Sequence, residues 1–422
     1  MSALLREYEV KNMKLAEEGR SMIGWAESRM PVLMKIKERF QKERPLKGIR
    51  IGATLHVTKE TAVLVKTLKA AGADVALSGS NPLSTQDEVA AALANAGVHV
   101  YAWKGQSNED YYRCIDRIIK HDPNIVHDDG ADTICALHEN ASEQVKKIIV
   151  ALEETTTGVI RLKAMEKKGE LLFPIIAVND AKTKRLFDNR YGTGQSTIEA
   201  IIRSTSVLLA GKTFVVVGYG WCSRGIALRA RGMGANVIVT EIDPIKALEA
   251  SMDGFSVKKM EDATEVGDIF VTATGSINTV RGEHMKRMKD GVILANSGHF
   301  NVEISLPDLE ALSKSKTTIR PNVEQYTLKN GRKIFLLGEG RLVNLACAEG
   351  HPPDVMDMSF ANQALCAEYA VNHKGELKNK IYNVPYDIDR MVATLKLAAM
   401  EIEIDDSTEE QREYLEGWRL GT

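Results

Sequence analysis

The stretch Thr213–Pro244, TFVVVGYGWCSRGIALRARGMGANVIVTEIDP, constrains the fold more than any other part of the chain. Phe214 to Val217 is a run of β-branched and aromatic residues, the pattern of a strand buried on both faces. Gly218 and Gly220 follow at once, then a helical segment from about Ser223 to Met233. Gly234 stands where a helix stops, and Asn236–Thr240 reads as a second buried strand ending at Glu241. The pattern predicts a βαβ unit with a glycine turn after its first strand. Gly218 permits the tight turn, and Gly220 lets backbone N–H groups approach a pyrophosphate at the positive end of the helix. Glu241 lies about twenty residues downstream, where a carboxylate accepts hydrogen bonds from an adenosine ribose. A 2′-phosphate there would meet like charge, so the expected cofactor is NAD and not NADP. The third glycine position is Ser223, with Gly225 two residues on, so the helix must pack around a hydroxymethyl group.

At 422 residues the chain is too long for one ordinary core. Ahead of the dinucleotide unit, apolar runs alternate with helical patterns. Ile49–Leu55, Asp74–Ser78, Val98–Ala102, Asn124–His127, Ile148–Leu152 and Phe173–Val178 read as strands, with helices over Thr58–Ala71, Ser84–Ala96, Asn108–His121 and Thr133–Glu143. Beyond the unit, Ile269–Ala273, Val292–Asn296, Thr318–Pro321 and Ile334–Leu337 are further strands, then a helix over Asp357–Asn372 and a helical appendix over Ile388–Glu403. The expected fold is α/β: two Rossmann-like, doubly wound parallel-sheet domains plus a small C-terminal helical extension. The expected division is a substrate-binding domain over 1–188 and 350–385, an NAD-binding domain over 189–349, and the extension over 386–422. The first boundary falls in the polar, glycine-containing stretch Asp188–Ser196.

The formal charge is −2, from 55 basic and 57 acidic residues interspersed along the chain. No basic block or aromatic-basic stripe points to nucleic acid or an anionic membrane. The five cysteines are scattered without CxxC spacing, which argues for thiols in a reducing compartment and against a disulfide framework or a zinc site. The N-terminus, MSALLREYEVKNMKL, lacks an apolar core of signal-peptide length. A soluble, cytoplasmic protein without a metal is expected.

Chemistry in parallel sheets gathers at the carboxyl ends of strands. His56, Asp129 and Glu154 follow strands there, and Lys184 and Asp188 lie in the polar stretch joining the domains. Singly, each has an ordinary reading as a turn residue, a helix cap or a surface pair. Together they fall where a nicotinamide would lie. An oxidising cofactor acting on a hydroxyl needs a base to take the proton and a charge partner to set that base's pKa. Lys184 near a carboxylate supplies such a pair, since burial lowers an ammonium pKa and the carboxylate tempers it.

LHVTKETA (Leu55–Ala62), DDGAD (Asp128–Asp132), EETTTGV (Glu153–Val159), NDAKTKRLFDN (Asn179–Asn189), GYGWCSRG (Gly218–Gly225), SGHFNVEI (Ser297–Ile304), GEGRLVNL (Gly338–Leu345) and GHPPDVMDMSF (Gly350–Phe360) resemble, in order, the motifs of the S-adenosylhomocysteine hydrolase family. The resemblance runs from about residue 7 to 415. It implies a cycle with tightly held NAD: oxidation of the substrate's 3′-hydroxyl, loss of the acidified 4′-hydrogen, departure of homocysteine from C5′, addition of water and return of the hydride. By that likeness Lys184 and Asp188 act at the 3′-hydroxyl, Asn189 stands beside them and Glu154 holds the ribose diol. Asp129 and His56 handle protons at C4′ and C5′, and Asn179 and His299 line the same site. Thr58, Glu60 and His351 would meet the adenine. Thr155, Thr156, Thr157, Gly218, Gly220, Glu241, Asn278 and Asn344 would hold NAD. The resemblance also implies a homo-oligomer, a tetramer, acting on S-adenosylhomocysteine, adenosine and homocysteine.

Three departures from the family's pattern stand out. Many members carry YGCRES where this chain has Tyr191-Gly192-Thr193-Gly194-Gln195-Ser196, so a hydroxyl replaces a thiol near the nicotinamide. Ser223 occupies a glycine position. The chain ends at Leu420-Gly421-Thr422 without the lysine- and tyrosine-bearing tail of many members, and looser cofactor binding is expected from that. Some short-tailed relatives prefer an inosine base. The competing readings are therefore an S-inosyl-L-homocysteine hydrolase, a conventional NAD-dependent dehydrogenase, and a non-catalytic regulator that binds nucleoside and dinucleotide.

Overall fold

The computed structural model describes residues 7–140 and 143–419. The start of the N-terminal segment and the Leu420-Gly421-Thr422 end lie outside the described residues. Seven strands come first: β1 (Glu9–Val10), β2 (Arg50–Thr54), β3 (Asp74–Ser78), β4 (His99–Ala102), β5 (Ile125–Asp128), β6 (Val150–Glu153) and β7 (Ile175–Ala177). Then follow β8 (Thr213–Val217), β9 (Asn236–Thr240), β10 (Ser256–Val257), β11 (Ile269–Thr272), β12 (Val292–Asn296), β13 (Ser313–Arg320), β14 (Val323–Leu328), β15 (Lys333–Leu337) and β16 (Ile381–Asn383). They form two sheets, ordered β1-β4-β3-β2-β5-β6-β7-β16 and β10-β9-β8-β11-β12-β15-β14-β13. The first is parallel throughout. The second is parallel from β10 to β15 and ends in an antiparallel pair, β13–β14.

Strand order reverses between β2 and β5 in one sheet and between β8 and β11 in the other. A doubly wound sheet opens a crevice at such a reversal, because the connections on its two sides leave toward opposite faces. His56 follows β2, Asp129 follows β5, Gly218 follows β8 and Thr274 follows β11. Both crevices therefore carry residues singled out by the sequence.

Helices cover both faces, so the central strands are buried and read as continuous apolar runs. The helix Pro353–Asn372 is the central one on the first sheet, with Met358–Ala367 buried throughout. Its Asp357 accepts the free N-terminal amides Val32 (3.2 Å) and Leu33 (2.8 Å) of the helix Pro31–Glu43, and pairs with Lys396 at 2.9 Å. Apolar residues of this helix, of Pro31–Glu43 and of Lys59–Ala70 share one core.

Four differences from the expected elements bear on the sheets, the site or the chain's end. The helix after the glycine turn starts at Trp221, directly after Gly220. Asp188–Ser196, expected as a joining loop, is a π-turn over Asp188–Gly192 running into the helix Thr193–Thr205. Its glycines serve close packing: a Cβ on Gly194 would lie 2.6 Å from Gly225 C, and one on Gly225 would lie 1.7 Å from Arg190 O. β14 was not expected, and β13 runs longer than Thr318–Pro321. β13 is a polar, mostly exposed edge strand, which carries little apolar signal. The appendix divides into the helices Tyr386–Ala399 and Glu409–Glu416. The first packs on the body, where Asp389 accepts the amides of Lys182 and Thr183 at 2.8 Å each. The second buries no residue. No helix of the described residues is long and apolar enough to cross a membrane.

Candidate active site between the two sheets

One cavity of about 1160 Å³ joins the two crevices. Small-molecule sites commonly occupy roughly 300–1,000 Å³, so this one has room for a dinucleotide and a nucleoside together.

The second sheet shapes one end. Gly218 has φ +97°, and a Cβ there would press on Thr274 Cγ2 (3.1 Å) and Ala273 O (3.2 Å). Beside Gly220 nothing lies within 4 Å of a Cβ position, so the space in front of the helix is open. That helix, Trp221–Gly232, has no side-chain cap, which leaves its first amides for an anion. Ser223 fits the glycine position because its hydroxyl donates to Ala273 O at 3.0 Å and is buried. Glu241 turns back on the loop, accepting from Tyr219 N (2.7 Å), Ile242 N (2.7 Å) and Asp243 N (3.1 Å). Asn344 is buried, donates to Ser196 Oγ at 3.2 Å and leaves its Oδ1 without a partner. A glycine cradle, uncapped helix amides, an acid at the end of β9 and an unpartnered amide oxygen fit a dinucleotide.

The first sheet and the Asn179–Asn189 segment build a charged cluster. Lys184 is buried, with Asn189 Oδ1 at 2.9 Å, Asp188 Oδ2 at 3.3 Å, and Glu154 Oε1 and Asn179 Oδ1 at 3.4 Å. The pair is no surface ion pair. Asp389 caps the one-turn helix Lys182–Arg185, and Ser359 donates to Asp188 Oδ2 at 2.8 Å. Burial alone would pull the Lys184 pKa down, but Asp188, Glu154 and Asp129 outweigh it and hold the ammonium above its ordinary value. This corrects the expectation of a lowered lysine, which allowed for one carboxylate and not three. Burial would raise Asp188, and Lys184 and His351 instead carry it below the usual carboxylate range. Glu154 stays on the other side: burial pushes it up to about 7 against the pull of Lys184.

A second cluster faces the cavity from the ends of β2 and β5. Asp129 stands between His56 Nε2 (3.4 Å) and His299 Nδ1 (3.6 Å). Ser84 Oγ (2.8 Å) and Ser80 Oγ (3.0 Å) hold His56 Nδ1, and burial lowers the His56 pKa to about 4, so the ring is neutral near pH 7. The loop is tied from beneath. Asp128 accepts the amides of Asp129 and Ile134, and Glu153 those of Gly130 and Thr155. His299 crosses from the second sheet's side, and Gly130 admits it: a Cβ there would lie 2.3 Å from its Nε2.

The expected residues do not all take their expected neighbours. His56, Thr58, Asp129, Glu154, Thr155, Thr156, Thr157, Lys184, Asp188, Asn189, Gly218, Gly220, Glu241, Asn278, His299, Asn344 and His351 all line the cavity. Glu60 and Asn179 stand behind its wall, Glu60 paired to Lys59 at 3.2 Å and Asn179 bonded to the lysine cluster. Thr156 joins that cluster too, accepting from Asn189 at 3.4 Å. His351, expected at the adenine, lines the cavity, hydrogen-bonds Asp188 through Nδ1 and meets Thr193 Oγ1 at 3.2 Å. A thiol is present near Thr193 after all: Cys222 Sγ lies 3.6 Å from its hydroxyl, supplied by the helix of the glycine loop. Sequence reasoning did not find Ser84, Ser359, Gln363 or Glu303. Glu303 accepts from Thr274 and Gly275 beside the glycine turn, and such partners, remote in sequence, carry no local signal.

Fold and site together define a two-sheet α/β enzyme that binds a dinucleotide and works on a small molecule beside it. The family model described as "S-adenosyl-L-homocysteine hydrolase, NAD binding domain" matches residues 189–350, and that described as "S-adenosyl-L-homocysteine hydrolase" matches 7–152. The chain is similar to an adenosylhomocysteinase of Sulfurisphaera tokodaii, 60% identical over 99% of this chain and 100% of that protein. An adenosylhomocysteinase of Aquifex aeolicus is 60% identical over 99% of this chain and 100% of its own length. An S-inosyl-L-homocysteine hydrolase of Methanocaldococcus jannaschii is 58% identical, over 98% and 100%. The chain belongs to the S-adenosyl-L-homocysteine hydrolase family, and its cofactor is NAD.

Proposed function

We propose that this chain reversibly hydrolyses S-adenosyl-L-homocysteine to adenosine and L-homocysteine. The observation that carries the reading is the pair of buried proton-handling clusters, Lys184–Glu154–Asp188 and His56–Asp129–His299, opening on one cavity with a dinucleotide loop. When bound, NAD supplies a hydride acceptor at the ribose C3′ and later a hydride donor there. Glu154 and Asn189 hold the diol. Lys184 takes the 3′-hydroxyl proton as it passes its own to Glu154 Oε1, the carboxylate of the cluster near neutrality, so the ammonium charge is kept throughout the transfer. With C3′ at the ketone level the C4′ hydrogen is acidic; Asp129 removes it, homocysteine leaves C5′, and neutral His56 directs the water that replaces it. Glycines 218 and 220, Glu241, Thr155, Thr157, Asn278 and Asn344 hold the dinucleotide, and Thr58, backed by Glu60, meets the base.

In the same reading, 1–188 and 350–385 form the substrate-binding domain, 189–349 the NAD-binding domain and 386–422 the extension. The protein acts in the cytoplasm as a homotetramer. The exposed arm after Ala399, with Ile404, Leu415 and Trp418 outward, supports a partner copy.

Incubating the purified protein with S-adenosylhomocysteine and no added cofactor tests the proposal. Homocysteine release without net NAD consumption is expected. A stoichiometric NAD requirement, or no product, overturns it. Faster release from S-inosylhomocysteine in a parallel assay would reassign the base.

Two further outcomes are expected. Glu241→Ala weakens NAD binding at least tenfold, since hydrogen bonds to a charged acceptor are worth roughly 1.5–3 kcal/mol each. An unchanged dissociation constant by calorimetry would place the ribose elsewhere. The rate of nicotinamide reduction on adding adenosine falls as pH drops through about 7, because Glu154 becomes protonated and can no longer accept from the diol or from Lys184. A single-turnover profile that stays flat across neutrality would remove Glu154 from this step.

A further inference from the structure

Gln363 and His127 lie behind Glu154, off the cavity wall, and the chemistry above uses neither. Both are fully buried, Gln363 on the helix Pro353–Asn372 and His127 on β5. Gln363 Nε2 donates to Glu154 Oε2 at 2.5 Å, and Gln363 Oε1 lies 2.9 Å from His127 Nδ1. The direction of every bond in this chain follows from chemistry. Above about pH 7 Glu154 is ionised and only accepts, so Gln363 turns its NH₂ to Glu154 and its carbonyl to His127. A carbonyl also only accepts, so His127 must carry its hydrogen on Nδ1. In a neutral ring Nε2 is then a bare acceptor, and His127 Nε2 has no hydrogen-bond partner among the described residues. Burial lowers the His127 pKa to about 4, which keeps the ring neutral, and above pH 7, with Glu154 ionised, the chain runs in this one sense.

The other oxygen of Glu154 is treated differently. Oε1 makes no hydrogen bond and faces Lys184 Nζ at 3.4 Å. We propose that Gln363 and His127 are positioning residues for Glu154: a two-link buried chain pins Oε2 from behind, so that Oε1 is kept for the ribose hydroxyl and the Lys184 proton. The inference rests on Glu154 acting at the ribose. Lys184, Asp188 and Asp129 are the charged groups facing Glu154 from the cavity side, and Gln363 is its donor from behind.

His127→Leu, His127→Asn and Gln363→Met separate positioning from packing. Asparagine places an N–H near the Nδ1 position, whereas leucine fills the space without a donor. Gln363→Met is expected to slow nicotinamide reduction about ten- to hundredfold, the worth of a hydrogen bond to a charged acceptor. It should also move the acid limb of the profile to higher pH, because a donor favouring the ionised carboxylate is lost. His127→Leu should shift the limb the same way by a smaller amount, and His127→Asn should restore it. A limb that stays in place in both Gln363→Met and His127→Leu, with NAD still bound, overturns the proposal. Should either variant fail to fold, ¹⁵N spectra of histidine-labelled wild type at a pH well above 7, where Glu154 is ionised, decide: a neutral Nδ1–H ring is expected, and an Nε2–H tautomer or a charged ring refutes the chain. Failure of the wild type to release homocysteine would instead refute the function proposed for the site, and leave the ¹⁵N outcome to judge this inference by itself.

Discussion

Lys184→Ala is expected to abolish reduction of the bound nicotinamide when nucleoside is added, while the nucleoside still binds. Taking a proton from an alcohol without a positioned base forfeits a factor of about 10²–10⁴. The cluster around Lys184 makes alanine a severe change, because Asp188, Glu154 and Asn189 all lose their common cation. Lys184→Arg supplies the control. Arginine keeps a positive charge for Asp188 and Glu154 but does not give up its proton near neutrality. If proton transfer is the role of Lys184, both variants lose the reduction step. If its role is charge balance alone, arginine retains much of it. Rapid formation of reduced nicotinamide in Lys184→Ala, followed by stopped-flow absorbance, would show that the 3′-hydroxyl is activated elsewhere.

Asp129→Asn is expected to separate the two ends of the ribose. Oxidation at C3′ precedes the steps at C4′ and C5′ and does not need their protons. Asparagine keeps the size and hydrogen bonding of Asp129 but removes the charge that stands between His56 and His299. The variant should reduce its NAD on receiving S-adenosylhomocysteine and then stall, with reduced nicotinamide persisting and homocysteine release lower by about 10²–10⁴. His56, neutral because of burial, cannot replace Asp129 as a charge, so His56→Asn should stall at the same stage or just after homocysteine departs. Loss of cofactor reduction in Asp129→Asn would place Asp129 with the oxidation machinery.

Residues close in sequence produced the legible part of this molecule. β8, the glycine turn and β9 were readable because a buried strand, a φ that favours glycine and an N-terminal helix amide are all local matters, decided within a few residues. The polar β13–β14 edge was not readable in full, since an exposed edge strand lacks the apolar run that marks a central one. Asp188–Ser196 was misleading for a related reason. Polar residues with glycines look like a loop, but here the glycines let the helices Thr193–Thr205 and Trp221–Gly232 touch backbone to backbone, a contact made with a segment about thirty residues away.

From the sequence alone came the classes of residue and their order: a dinucleotide loop, acids and a histidine at strand ends, a lysine four residues before an aspartate. Their electrostatics were decided only by the tertiary structure. A lysine beside one carboxylate and a lysine near three are the same in sequence, but summed charge, against the pull of burial, holds the second above its ordinary pKa, while burial raises Glu154 to about 7. The supporting groups were also tertiary matters, because Ser359, Gln363 and His351 come from a segment more than 150 residues beyond the groups they bond, at separations of 171, 209 and 163 residues. Pattern records what neighbours along the chain favour; a pKa depends on charges and solvent within a few ångströms in space, and only the folded chain brings those together.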